Sequence, residues 1–364
     1  MNIWDYNFNY NGQAIIFNII LFIIALCQYR SLYLGRVKRT GSYIFLYLLL
    51  VLFATFAYAE ADFYHYQFHY DMMKHYDRES LAEPIYYWIA NKLPDNYFLW
   101  RFSIWGSAAM LMVFSLKRVG VYASYAGLIM PIFFWHQFSL TRGCLGFCLI
   151  VLALILLFEN TNIYEKVVAI VAILASINFH NSMTAFLLII PLAVLMPFNN
   201  KTIKLSIIMF PFLYGVTVFV TNNLMELNIL AAATENLAEG YINKQHSELN
   251  FFGVAFDVLN FSGQLLMLFL STKFILDHRG KINNSVAVLT KYGYILMYIS
   301  FLFYGQSVSS FISSRFLHAS TFPLVVVYSY YMQHHIINKK DRVSMCLLGL
   351  YAFYELIYPM YKWW

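Results

Sequence analysis

Apolar runs recur along the whole chain, separated by short polar breaks. Measured against the roughly 20 apolar residues that a helix needs to cross a bilayer, the sequence predicts spans over residues 13–29, 43–60, 97–116, 121–135, 141–158, 164–179, 182–198, 203–221, 253–274, 287–304, 312–332 and 343–359. The fourth, sixth and seventh are the shortest. The expected fold is therefore an all-α polytopic membrane protein of about 12 transmembrane helices. With no internal repeat or low-complexity linker, residues 1–364 read as a single integral membrane domain.

Two breaks are longer than the rest, about 61–96 and 222–252. In the first, a short interfacial helix is expected from Glu83 and Pro84, because proline suits a first helical turn. In the second, Leu224, Leu227, Leu230 and Leu237 approximate one helical face and predict a segment lying along the membrane surface.

Composition strengthens the membrane reading. Of 364 residues 61% are hydrophobic and only 12% charged, against about a quarter charged in soluble domains. The 30 tyrosines and 34 phenylalanines suit helix ends at a bilayer interface. Met1 to Gln13 holds one acid and no Lys or Arg, so no basic leader precedes the first apolar run and that run is expected to stay in the protein. Cys27, Cys144, Cys148 and Cys346 all lie in apolar runs and read as small buried hydrophobes rather than a disulfide or zinc framework.

Charge then sets the orientation, because basic residues resist translocation. Alternate connections hold sixteen of the 24 Lys and Arg residues, including Arg36, Lys38, Arg39, Lys117, Arg118, Lys201, Lys204, Lys291 and Lys339. The opposite side holds Lys74, Arg78, Lys92, Arg101, Arg142, Lys244, Arg315 and Lys362. Both termini are thereby expected outside, with both long loops on the outer, periplasmic side. Of the 18 acids, only Glu159, Glu165, Asp277 and Asp341 fall inside.

Ionisable residues at the ends of spans are candidates for function because they are costly there. Arg101, Arg142 and Arg315 each open an outside-to-inside helix and can frame a cationic hollow under the outer surface. A guanidinium offers fixed donors that match phosphate or pyrophosphate oxygens; the competing reading is interfacial snorkelling. His180 lies in the tight outer turn between the sixth and seventh spans, where an imidazole can accept or hold a hydroxyl proton or simply bond a helix end. In the first loop, Asp62, Asp71 and Glu83 stand with Glu60 among Tyr64, Tyr66, Tyr70 and Trp88. Acids beside aromatic plates suit a carbohydrate site, and equally suit a solvated loop. Asp62, His65 and His69 have helical spacing for a metal but no fixed scaffold. No metal or other cofactor is expected.

The run from Thr141 to Leu195, TRGCLGFCLIVLALILLFENTNIYEKVVAIVAILASINFHNSMTAFLLIIPLAVL, resembles the central signature of the EpsG family, Wzy-like polymerases of bacterial exopolysaccharide and capsule. The family's Arg opening one helix corresponds to Arg142, and its His turn to His180. The first loop is similar too, at Asp62, Tyr66, Asp71, Glu83 and Pro84, as is the C-terminal third at Arg315 and Phe316. The resemblance implies a GT-C-like or Wzy-like bundle in the bacterial inner membrane that joins oligosaccharide repeat units carried on undecaprenyl pyrophosphate. Catalysis would fall to His180, Arg142, Asp62 and Glu83. Arg142, Arg315 and Arg101 would grip the pyrophosphate, and Tyr64, Tyr66, Tyr70, Asp71 and Trp88 the sugars. Partners would be the lipid-linked oligosaccharides, membrane lipid, a flippase and a chain-length regulator, with no nucleic acid. The rivals are a polyprenyl-phosphate-sugar glycosyltransferase, which would need the loop acids more than His180, and a lipid-linked sugar transporter or flippase, which would call for mid-depth charges and paired halves. A membrane acyltransferase is weaker, since His334 and His335 lie at an inner helix end.

Overall fold

The computed structural model describes residues 39–56, 63–75, 84–123, 125–126, 141–159, 162–179, 183–226, 282–304 and 310–334, with isolated positions before residue 39 and between 261 and 277. Among the described residues every regular element is a helix: α1 (Arg39–Phe56), α2 (Phe63–His75), α3 (Pro84–Lys92), α4 (Tyr97–Arg118), α5 (Thr141–Glu159), α6 (Ile163–Ser176), α7 (Met183–Leu187), α8 (Ile189–Leu195), α9 (Asn200–Glu226), α10 (Asn284–Leu302) and α11 (Ser310–His334). Residues Tyr97–Arg118, Asn200–Val220 and Asn284–Leu302 are each long and apolar enough to cross a membrane. The expected spans 13–29, 121–135 and 343–359 fall largely outside the described residues, as does the long loop beyond Glu226.

One end of the bundle is fixed by polar ties between helix termini. Gly120, at φ 78°, closes α4: Val121 N–H donates to Leu116 O at 3.0 Å and Gly120 N–H to Lys117 O at 3.1 Å, a pairing that needs a left-handed residue. Gln333, near the end of α11, grips this turn from both sides. Its Nε2 donates to Gly120 O at 3.0 Å, and its Oε1 accepts from Tyr122 N–H. Tyr43 of α1 donates to Val121 O. Arg118 pairs with Glu165 at the start of α6 and stands 3.9 Å from Glu159 at the end of α5, so these two acids serve to join three helix ends. This is the basic end; the opposite end, where α4, α5 and α11 begin, is the head end.

Hydroxyls inside the apolar helices bond back along the chain, as Ser107 to Ser103 O at 2.7 Å and Thr290 to Val286 O at 2.7 Å, which removes most of the cost of burying them. α10 packs tightly against α11. A Cβ on Gly293 would come within 2.9 Å of the Leu324 side chain, and Leu324 is itself fully buried. By contrast α9 is largely exposed along its span and meets α10 through side chains. Tyr298 donates to Ser206 O at 2.6 Å, Thr217 to Leu302 O at 2.9 Å, and Tyr214 to Tyr304 O at 3.2 Å.

Three expectations need correction. The span 182–198 is two short helices broken at Leu188, because Pro191 cannot donate to the carbonyl four residues back and its ring crowds that group. The span 203–221 extends from Asn200 through Glu226, well into the expected loop; Asn199 caps it by accepting from Lys201 and Thr202 N–H at 2.9 and 3.0 Å. Lys291 lies in the third turn of α10 rather than in a connection. Its ammonium donates to Val194 O at 3.2 Å and Met196 O at 3.4 Å, satisfying carbonyls that the end of α8 leaves open. The cysteines divide: Cys144 and Cys148 are buried, whereas Cys27 is exposed.

Gly293 and Gly215 make a matched test of the packing. Gly293→Ala is expected to cost about 1–3 kcal/mol through overpacking and to lower the melting temperature in detergent. Gly215→Ala, with nothing within 4 Å of its Cβ, should hold or raise it by the helix propensity gained, about 1 kcal/mol at most.

Candidate functional site at the head end

The first long loop folds into a helical hairpin seated on the head end. α2 presents Tyr66, Tyr70 and Met73 inward, and α3 presents Tyr86 and Ala90, the i, i+4 and i+7 pattern of a half-buried helix. Tyr70 is the hub. Its ring lies against Tyr97 and Trp100, with centroids 5.7 Å away in each case. Its hydroxyl donates to Asp95 Oδ1 at 3.2 Å and accepts from Asn96 N–H at 2.9 Å. Burial, with the Asp95 carboxylate adding to it, pushes the Tyr70 phenol up to about 12, so it remains a donor throughout the working pH range.

Lys74 completes the hairpin by donating to Ala90 O at 3.0 Å and Leu93 O at 2.8 Å, capping the end of α3. His75 stands 3.3 Å from Asp95. Asn96 begins α4, its Oδ1 accepting from Leu99 N–H at 3.1 Å. Beneath the hairpin Arg101 is 0% exposed; its Nη1 donates to Tyr97 Oη at 3.3 Å, and its guanidinium lies 5.9 Å from that ring's centre. Trp100 Nε1 donates to Tyr86 O at 3.4 Å.

A second group of rings gathers the helix starts that carry the other arginine positions and the helix that follows residues 180–182. Phe147 of α5 stacks on Phe322 of α11 at 4.9 Å and meets Phe186 of α7 edge-on at 4.9 Å, while Phe186 meets Phe316 at 5.1 Å. Both α5 and α11 run from the head end to the basic end. Arg142 precedes Phe147 by about 8 Å of helix rise and Arg315 precedes Phe322 by about 10 Å, so the two backbone positions sit at nearly one depth. The residues that flank positions 180–182 are held beside them. A Cβ on Gly146 would meet Met183 Sδ at 3.0 Å and Ser176 O at 3.3 Å, so the chain entering and leaving that stretch presses against the second turn of α5. Phe179, just before it, meets Tyr86 of the hairpin at 6.1 Å, which joins the two groups.

The sequence-derived residues divide accordingly. Asp62, Glu83, His180 and the side chains of Tyr64 and Arg142 lie outside what the structure describes. Tyr66 and Tyr70 are buried in the core, so the ring that α3 offers to solvent is Trp88, 58% exposed. Asp71 is half-buried beside the hub. Arg315 is half-buried in α11, and Arg101 belongs to the hairpin group. Sequence reasoning missed Lys74, Asp95, Tyr97 and Trp100. Their signal was available in the Tyr66, Tyr70, Met73 spacing, which marks a helix with one buried face. Among the described residues no three His, Cys, Asp or Glu side chains come together to hold a metal.

Burial, partly offset by His75 and reinforced by Asp95, holds the Asp71 carboxyl above its usual range. The folded protein therefore keeps this proton more tightly than the unfolded chain. Ionised Asp71 costs stability at neutral pH, and the cost vanishes as pH falls below the ordinary carboxylate value of about 4. Asp71→Asn is expected to raise the melting temperature in detergent at pH 7 and to converge on the parent protein as the pH is lowered. Lys74→Met should do the reverse at neutral pH, losing about 1–3 kcal/mol by stranding two carbonyls.

Comparison with known proteins agrees with the resemblance carried by Arg142, His180 and Arg315. No curated protein and no solved structure matches the chain. The profile of the EpsG family matches residues 40–364, taking in the hairpin, both ring groups and the C-terminal helices. With apolar helices of spanning length and a match that covers nearly all of its residues, the chain is a membrane protein and belongs to the EpsG family.

Proposed function

We propose that this protein polymerises oligosaccharide repeat units carried on undecaprenyl pyrophosphate into a surface polysaccharide, at the periplasmic face of a bacterial inner membrane. Membership of the EpsG family supports a role in polysaccharide biosynthesis. The single observation that carries the chemistry is the convergence, at one end of the bundle and at nearly one depth, of the helix turns that bear Arg142 and Arg315 with the chain flanking His180.

In this reaction the bond between C1 of the growing chain's reducing-end sugar and the pyrophosphate oxygen breaks, and a hydroxyl of the incoming unit forms the new bond to C1. Negative charge builds on the departing pyrophosphate. The guanidinium groups of Arg142 and Arg315 stabilise that charge as it develops in the transition state, which is how preorganised charge lowers a barrier. His180, or one of Asp62 and Glu83, accepts the hydroxyl proton. The exposed Trp88 on a hairpin fixed by Lys74 and Tyr70 offers a ring face to a sugar. The bias of basic residues toward the other end supports a head end that faces outward. Twelve spans with both termini outside is the topology that goes with this reading.

The test is surface glycan on gels from a deletion strain complemented with variants. Complementation by Arg142→Lys is expected to fall well below wild type although charge is kept, because the planar fork is lost. His180→Ala should lower polymer formation by about 100-fold or more, in the range of a lost general base, leaving single repeat units on lipid. A silent His180→Ala together with an indispensable Asp62 would transfer the assignment to a single-sugar glycosyltransferase. Near-normal glycan from Arg142→Lys would reduce that residue to an interfacial anchor.

A further inference from the structure

α11 is enclosed along most of its length and open near its start. Every residue from Ala319 to Tyr331 is buried, a stretch of about three and a half turns, so protein surrounds the helix on all sides there. Arg315, Phe316, Leu317 and His318, by contrast, are all half-buried. Consecutive residues over a full turn point in every direction, so the opening is not confined to one face of α11, and it ends at His318. Phe322, one turn deeper on the His318 face, is buried and stacks on Phe147 at 4.9 Å, which closes the space beneath. Phe316 against Phe186, at 5.1 Å, forms one wall.

Two side chains able to donate to an anion stand in this opening. Arg315 and His318 are three residues apart and share a helix face, with His318 about 4.5 Å nearer mid-depth. The imidazole Nδ1 is shut off from solvent, so the access that the residue retains lies at the other edge of the ring, where Nε2 stands. A prenyl diphosphate keeps its chain in the bilayer and its sugar outside, so its two phosphates lie at different depths with the sugar-bearing one outermost. From the matching order along α11 we infer that His318 is a substrate-binding residue that holds the prenyl-side phosphate, while Arg315 holds the sugar-side one. The inference rests on the polymerase reading for the identity of the ligand and adds to it a residue and a direction of binding. The bond that breaks joins C1 to the sugar-side phosphate, so the developing charge falls to Arg315. His318 keeps the other phosphate in place before and during that step, and a contact made equally in both shows in KM rather than in kcat.

The test measures binding of undecaprenyl monophosphate and undecaprenyl pyrophosphate to the full-length protein in phosphatidylcholine nanodiscs. His318→Phe, which keeps a ring and removes the donor, is expected to weaken both ligands by about tenfold to a hundredfold, the worth of one hydrogen bond to a charged group, because both carry the prenyl-side phosphate. His318→Gln, whose amide nitrogen can stand where Nε2 stood, should recover most of that loss. Arg315→Gln should weaken the pyrophosphate far more than the monophosphate. A measurement on the unaltered protein covers the case of a variant that does not fold: carbethoxylation of His318 by diethyl pyrocarbonate, read by mass spectrometry, should be blocked by undecaprenyl monophosphate and not by undecaprenol. Full affinity in His318→Phe with loss in His318→Gln makes the ring a space-filler and overturns the inference. A loss confined to the pyrophosphate overturns the order of the two phosphates. A His318 that the reagent does not reach, or reaches equally with the phosphate lipid bound, overturns it as well. Each of these results leaves the polymerase reading standing, whereas an unaltered protein that binds neither phosphate lipid brings both down.

Discussion

The structure depends on main-chain carbonyls and amides finding side-chain partners wherever a helix ends or breaks. In an apolar surrounding an unpaired peptide group costs several kcal/mol, and this chain turns often. Lys74 closes the end of α3, Lys291 the end of α8, and Asn96 the start of α4. Tyrosine hydroxyls reach from one helix to carbonyls of another, as Tyr328 to Met267 O at 2.7 Å and Tyr292 to Phe186 O at 3.2 Å. Each such bond satisfies a peptide group and fixes a helix position at once. The abundance of tyrosine therefore has a structural use beyond the interfacial preference of the ring.

The head end follows from these ties. Without the Lys74 and Tyr70 bonds, a hairpin with polar residues on most of its faces would have only a narrow apolar stripe to hold it. With them, Trp100 and Tyr97 become a floor on which α2 and α3 rest. A floor of this kind lets the solvent-facing side of α3 stay rigid, which matters for any group that must meet a sugar in a fixed pose. The second ring group works differently. Phe147, Phe186, Phe316 and Phe322 bring three helix starts together by packing alone, leaving the polar positions at their tips for other work.

How much of this was legible in the sequence depended on whether the causative contact is local. Long apolar runs are local, and the helices from Tyr97, Thr141, Asn284 and Ser310 begin within a few residues of where hydropathy put them. The break at Leu188 was legible too, since Pro191 stands three residues on, but a window of spanning length averages over a single proline. The hairpin was half legible: Pro84 marked its second helix, whereas Tyr, His, Lys and Asp along α2 hid its buried face from a hydropathy measure. Lys74 and Lys291 were counted as topology markers. Their partners lie 16 and 97 residues away, and no local pattern signals a carbonyl at that distance. For the site, arginines at helix starts stand out in the sequence because charge in that position is rare for physical reasons. Tyr66 and Tyr70 misled, since an aromatic residue in a loop looks the same whether it faces a ligand or the core.

Gln333 holds both sides of the Gly120 turn across a separation of 213 residues. During synthesis at roughly 5–20 residues per second, that turn leaves the ribosome about 10 to 40 s before the side chain that completes it. For this interval the carbonyl of Gly120 and the amide of Tyr122 must be served by water or by the insertion machinery. The first third of the chain thus threads into the bilayer before this turn can lock, and α11 acts as the bolt that closes it.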